Sequence, residues 1–179
     1  MIVLETLFVI LAGCAFHFVY NWAGKRGWVK WFAASNESVF EHIKITIMPM
    51  IMAMVVDYWL VGGCANYFLG KFLSLLVVLV LMPTLFYLFK KILGGAVLWA
   101  DISCFVLIVI WAELLFNTML CLPAQGLEIL GGIGVALIGV ATVVLSYFPP
   151  KWGIFIPSKG HNHEHHEIHE AKRGRGRKK

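Results

Sequence analysis

The stretch SNESVFEHIKITIMPM, residues 35–50, passes from a polar opening into an apolar run. Ser38 and Glu41 have the spacing of a capping box, in which a serine begins a helix and a glutamate follows three residues later. Ser35 and Asn36 are alternative caps. We therefore predict that a helix begins here, with its acidic groups at the positive end of the helix dipole. Capping leaves two further ionisable groups unexplained at the same boundary: His42 and a second glutamate, Glu37.

The composition of the chain places this helix in a membrane. Of the 179 residues, 60% are hydrophobic and 14% are charged, whereas soluble domains contain about 25% charged residues. Five stretches reach the roughly 20 apolar residues that span a bilayer: 2–22, 43–61, 72–89, 96–116 and 127–148. Lipid offers backbone groups no hydrogen-bond partner, so each must be a helix. We predict an all-α integral membrane protein of the cell membrane, with a five-helix bundle over residues 1–158.

The cationic residues predict the orientation of this bundle. All but one of the 15 lysine and arginine residues lie in the first connection, the third connection, the start of the second helix, or after the fifth helix. Lys71 alone lies on the other side. Because cytoplasmic segments are rich in lysine and arginine, we expect the N-terminus outside and the C-terminus in the cytoplasm. An odd number of helices agrees with that arrangement.

The polar residues of the helices then fall into two layers. The cytoplasmic layer contains His17, Asn21, Asn36, Glu37, Glu41, His42 and Asp101, and the second layer contains Asp57, Glu113 and Asn117. Ionisable residues inside a membrane usually face the bundle interior or a water-filled cavity, so the layers suggest a polar pathway. Simpler alternatives are snorkelling of Glu37 and Lys44 to the interface, packing of a hydrogen-bonded His17, and bonds from Asp57 and Glu113 that pin helices together.

Two histidines with two or three carboxylates form a ligand set that zinc and iron accept, with His17, Glu41 and His42 as the candidate ligands. We expect the imidazoles of His17 and His42 to approach each other. Glu41 and His42 then line a polar cavity that binds a metal ion, a proton or a lipid headgroup, with a divalent transition metal as the candidate cofactor. Glu41 is also spaced to pair with Lys44 along the helix. The residues lack the fixed spacing of a zinc-protease motif.

Residues 159–179 form a tail that we expect to be disordered. Its histidine-rich part is a second candidate for metal binding, through His161, His163, His165, His166 and His169. The tail closes with KRGRGRKK, residues 172–179. A basic segment beside a membrane favours anionic lipid headgroups as its partner, and the single short run disfavours nucleic acid.

The glycine and proline residues of the apolar stretches predict how the helices pack and bend. The fifth apolar stretch contains LGGIGVALIGVA, residues 130–141. Small residues allow helices to approach closely in lipid, so we predict that this helix is the tightly packed one. Pro49 and Pro83 fall within the second and third stretches, where proline removes a backbone hydrogen bond and is expected to bend the helix.

Three motifs together resemble a known family. They are HFVYNW at residues 17–22, NESVFEHIK at residues 36–44 and FPP at residues 148–150. The chain resembles a family of small prokaryotic multi-pass membrane proteins described only as a domain of unknown function. The resemblance implies that His17, Trp22, Asn36, Glu37, Glu41 and His42 belong to the signature of that family. It implies no activity, and it does not extend to the histidine-rich tail.

Three functions remain open at this point. The first is a small transporter, channel or accessory membrane protein with a polar cavity near the cytoplasmic face. The second is a membrane-embedded, metal-dependent enzyme that acts on a lipid-like substrate. The third is a structural protein whose polar residues only stabilise the fold. The sequence contains no glycine-rich phosphate loop, nucleophile elbow or known channel filter that would choose among them.

The charge asymmetry yields a direct test of orientation. A reporter that is active only in the cytoplasm should be active when fused after Phe148 and inactive when fused at the N-terminus. The reverse pattern would overturn the assignment of the two polar layers to the two sides of the membrane.

Overall fold

The structure is a computed structural model that describes residues 2–95, 97–151 and 153–157. Within these ranges it contains five long helices, two short 3-10 turns and no strand. The helices are α1 (Ile2–Trp22), α2 (Val39–Val61), α3 (Tyr67–Leu93), α4 (Leu98–Cys121) and α5 (Glu128–Tyr147). All five are long and apolar enough to cross a membrane. The predicted five-helix, all-α membrane fold is therefore confirmed, while the predictions for the tail, including its five histidines, lie outside the described residues.

Several helices extend beyond the apolar stretches that predict them. α2 begins at Val39 rather than at residue 43, because Ser38 caps it and its Oγ accepts a hydrogen bond from the backbone N–H of Glu41 (3.4 Å). α3 covers Tyr67–Leu93 rather than 72–89, and α4 continues to Cys121. Hydropathy detects only the part of a helix that suits hydrocarbon, whereas backbone hydrogen bonding continues into polar surroundings. Both α2 and α3 run through their prolines without a break.

α2 lies at the centre of the bundle. It contacts each of the other four helices, and two thirds of its most apolar window is buried against protein. α3 packs most extensively against α4 and α5, and α1 packs against α2 and α4. The middle of the core is made of apolar side chains with almost no exposure: Val9, Ile47, Met50, Val78 and Ile108.

α5 packs against α3 through its glycines. A Cβ built on Gly131 would lie 2.4 Å from the backbone nitrogen of Leu69, and one on Gly134 would lie 2.4 Å from the ring of Phe72. Gly132 has more room, since the nearest atom to its Cβ would be a Phe68 ring carbon at 3.8 Å. The close approach of α3 and α5 therefore depends on Gly131 and Gly134 rather than on every glycine of the helix.

Gly131→Ala should destabilise the bundle, because backbone atoms of α3 cannot move aside as a flexible side chain can. We expect a loss of about 1–3 kcal/mol, typical of overpacking, measured as the free energy of unfolding in detergent. Gly132→Ala is the matched control and should be neutral or stabilising, because alanine favours a helix over glycine by up to about 1 kcal/mol. Equal losses in both variants would contradict the proposed contact.

Candidate functional site

The connection between α1 and α2 folds back onto α1. The backbone N–H of Ala34 donates to the carbonyl of Phe16 (3.0 Å), next to His17. Two residues after Ala34, the side-chain oxygen of Asn36 accepts a hydrogen bond from the backbone N–H of Ser38 (2.9 Å), which begins α2. These bonds hold Glu37 between the last turns of α1 and the first turn of α2. We call this part of the bundle the histidine end, because it carries His17 and His42.

At the histidine end, three side chains meet in a geometry that suits a metal ion. The ligand atoms of His17, Glu37 and His42 all lie within 4.8 Å of one another. His17 Nε2 is 3.5 Å from Glu37 Oε1, and the two imidazole centroids are 5.6 Å apart. Two ligand atoms bound at about 2 Å to a tetrahedral zinc ion lie roughly 3.3 Å apart. Small side-chain movements would therefore bring all three groups onto one ion.

The hydrogen bonding of His42 prepares it to be a ligand. Its Nδ1 lies 2.9 Å from the carbonyl oxygen of Ser38. A carbonyl only accepts hydrogen bonds, so Nδ1 carries a proton, and in the neutral imidazole Nε2 then keeps its lone pair for a ligand bond. Metal-bound histidines commonly donate their second nitrogen to a carbonyl in this way, which fixes the orientation of the ring. The same serine residue thus caps α2 and orients the imidazole.

Glu41 faces a different set of partners. Its Oε2 lies 2.7 Å from Lys44 Nζ and accepts a hydrogen bond from the backbone N–H of Ser35 (2.6 Å). Lys44 also donates to the carbonyl of Lys30 (2.7 Å). The predicted pairing along the helix is confirmed, and both side chains are almost fully buried, at 5% and 0% exposure. Lys44 is thus a buried ion-pair partner, so the snorkelling alternative is wrong for this residue, and Glu41 is not among the three grouped ligands.

The remaining residues of the predicted cytoplasmic layer are spread more widely. Asp101, at the start of α4, lines a small cavity with His42, Val39, Met82, Phe86 and Cys104. Asn21 and Asn36 are exposed. His42 therefore lies between the three-ligand group on one side and a cavity with a carboxylate on the other.

The second polar layer is built around a lysine. Lys71 on α3 donates hydrogen bonds to Glu5 on α1 and to Asp57 on α2, the latter at 2.8 Å. Glu113 on α4 is buried beside them, whereas Asn117 is exposed. We call this part of the bundle the lysine end. Sequence reasoning missed Glu5 and Lys71 as members of the layer. A signal existed, because Lys71 is the lone cation on the side of the predicted bundle that also carries the acids of this layer.

Apolar side chains separate the two ends. Val9 lies between Glu5 and His17 on α1, and Ile47 lies between His42 and Asp57 on α2, both with 0% exposure. Val78 and Ile108 occupy the corresponding part of α3 and α4. The described residues therefore place a well-packed apolar layer across the predicted polar pathway.

The buried pair of Glu41 and Lys44 should matter for folding rather than for ligand binding. Glu41→Gln leaves the charge of Lys44 unpaired, and breaking a buried ion pair from one side costs about 3–5 kcal/mol. We expect a lower free energy of unfolding in detergent, with partial recovery in the double variant Glu41→Gln/Lys44→Met, which removes both charges. A double variant no more stable than Glu41→Gln would contradict this account.

Comparison with curated proteins and with solved structures found no match. A family of unknown function, DUF6512, matches residues 1–162, a range that includes all five helices and both polar ends. The resemblance suggested by the three motifs agrees with this match, since both point to a family with no assigned activity. By the extent of the match, this five-helix membrane protein belongs to the family DUF6512.

Proposed function

We propose that this membrane protein binds a divalent transition-metal ion at its histidine end, through His17, Glu37 and His42. One observation carries the proposal: the three ligand atoms lie within 4.8 Å of one another although they come from α1, α2 and the connection between them. Two imidazoles and a carboxylate suit zinc or iron. The hydrogen bond from His42 Nδ1 supports the same assignment, because it leaves Nε2 free for a ligand bond.

The same ligand set favours metal-dependent chemistry at the membrane surface. Zinc with three protein ligands keeps a fourth position for water or substrate, as catalytic zinc sites do. The site is partly open, since the side chains of His17 and Glu37 are 25% and 59% exposed. Asp101 lines the same small cavity as His42, so it would be a candidate proton acceptor for water held by a metal ion at this site. A lipid headgroup is the polar substrate class nearest to such a position.

Transport is the second candidate, and the lysine end favours it. α1 and α2 each carry a residue of the histidine end and a residue of the lysine end, so a movement of either helix would change both ends together. The apolar layer between them disfavours an open channel and would require a rearrangement for each ion that crosses. Metal flux into vesicles containing the full chain would distinguish this candidate from an enzyme that binds its metal and retains it.

The metal site can be tested by metal content and affinity. The full-length chain should be purified without a histidine tag, in a background with His161, His163, His165, His166 and His169 changed to serine. That background should retain one tightly bound zinc or iron ion per chain. Because each substitution removes one ligand, His17→Ala, His42→Ala and Glu37→Gln should each lower the affinity at least tenfold.

Asn21→Ala is the matched control, since Asn21 is exposed on α1 one turn beyond His17. It should bind metal like the background. Folded yield must be measured beside metal content for every variant. Unchanged metal affinity in all three ligand variants would reject the site, and so would a background protein that binds no metal.

A further inference from the structure

The lysine end contains more acidic than basic groups. Four helices each contribute one member: Glu5 from α1, Asp57 from α2, Lys71 from α3 and Glu113 from α4. Each is no more than 6% exposed. If all four were ionised, three carboxylates would face one ammonium group in a buried position. Burying charge without compensation is costly, and neighbouring carboxylates disfavour each other's ionisation.

The ammonium group of Lys71 compensates the charges of two carboxylates but makes no hydrogen bond to the third. Its ammonium nitrogen bonds to Glu5 and Asp57. The ring of Phe116 covers another side of the same nitrogen, with its centroid 3.7 Å away, a typical cation–π contact. The ammonium group is thus surrounded by two carboxylates and an aromatic face. Glu113 receives no hydrogen bond from it.

Glu113 is the uncompensated member. It is 1% exposed, and both carboxylate oxygens are buried with no hydrogen-bond partner among the described residues. Its carboxyl lies close to Lys71 and Asp57, and it is near enough to the carboxyl of Glu5 for a proton on Glu113 to be shared between the two groups. A buried carboxylate in this position needs a proton or another cation. Native structures rarely leave such a group unsatisfied, so each instance calls for an explanation.

The other titratable groups nearby do not supply this charge. The hydroxyl of Tyr67 on α3 donates to the carbonyl of Met54 (2.9 Å), and Tyr58 on α2 packs against the ring of Tyr67. Glu128 on α5 accepts a hydrogen bond from the backbone N–H of Phe68 through Oε2 (2.8 Å), while its Oε1 is buried without a hydrogen-bond partner among the described residues. Glu128 is an additional acid at this end, and neither tyrosine is cationic.

We propose that the lysine end is a buried proton-binding site, in which Glu113 carries an exchangeable proton beside the Glu5–Lys71–Asp57 bridge. A proton removes the unpaired charge and needs no cavity. A metal cation would have to lie next to the Lys71 ammonium group, which already holds the central position among the acids and would repel it. This site is separate from the histidine end and does not depend on the metal proposed there.

Infrared spectroscopy of the full chain in nanodiscs tests the proposal directly. A protonated carboxyl group has its own carbonyl stretching band, which shifts in heavy water and when the glutamates carry carbon-13. We expect such a glutamate band at neutral pH in the wild-type protein, losing intensity as the pH is raised. Glu113→Gln should remove it, whereas Glu128→Gln, a glutamate at the same end with a backbone partner, and Asp101→Asn should keep it.

Each contrary result overturns the proposal. If Glu113→Gln fails to fold, the wild-type spectrum alone still tests the proposal. If that spectrum has no band at neutral pH that shifts when the glutamates carry carbon-13, no glutamate is protonated and the proposal is wrong. A band that survives Glu113→Gln would assign the proton elsewhere. A band that appears only when sodium is removed would mean that a sodium ion occupies the site instead.

Discussion

Charge neutralisation within the protein is the constraint on which this structure depends. Hydrocarbon does not solvate an ion, so a charged side chain inside the bundle must find its partner on another part of the chain. Lys71 meets this requirement by joining α1 and α2 to α3 through Glu5 and Asp57. Lys44 meets it by holding Glu41 and the carbonyl of Lys30. Each lysine therefore fixes segments that apolar packing alone would allow to slide.

The two ends of the bundle share their helices. α1 carries Glu5 and His17, and α2 carries His42 and Asp57. α2 is also the most buried helix, and it contains Pro49 between His42 and Asp57. Proline removes one backbone hydrogen bond from a helix interior, which leaves α2 least restrained by its own backbone near its middle.

The fold was predictable from the sequence because hydropathy and the absence of backbone partners in lipid leave few alternatives. The start of α2 was also readable, since Ser38 is a local cap. Partnerships across helices were less accessible. The approach of the two imidazoles and the pairing of Glu41 with Lys44 agree with expectation, but helical spacing does not reveal that the connection turns Glu37 toward His17. Glu5 and Lys71 are 66 positions apart, and only the packed bundle brings them together.

The neighbouring acids Glu37 and Glu41 show how one segment separates two roles. Glu41 is buried, and its carboxylate is committed to a lysine and a backbone N–H, so it has little freedom to accept an exchangeable ligand. Glu37 is exposed, and its Oε1 lies 3.5 Å from His17 Nε2, an atom that a metal ion can also bind. A polar contact at the surface contributes little to stability, so replacing it by metal coordination costs the fold little. The burial that stabilises the connection through Glu41 thus leaves Glu37 available at the surface for binding.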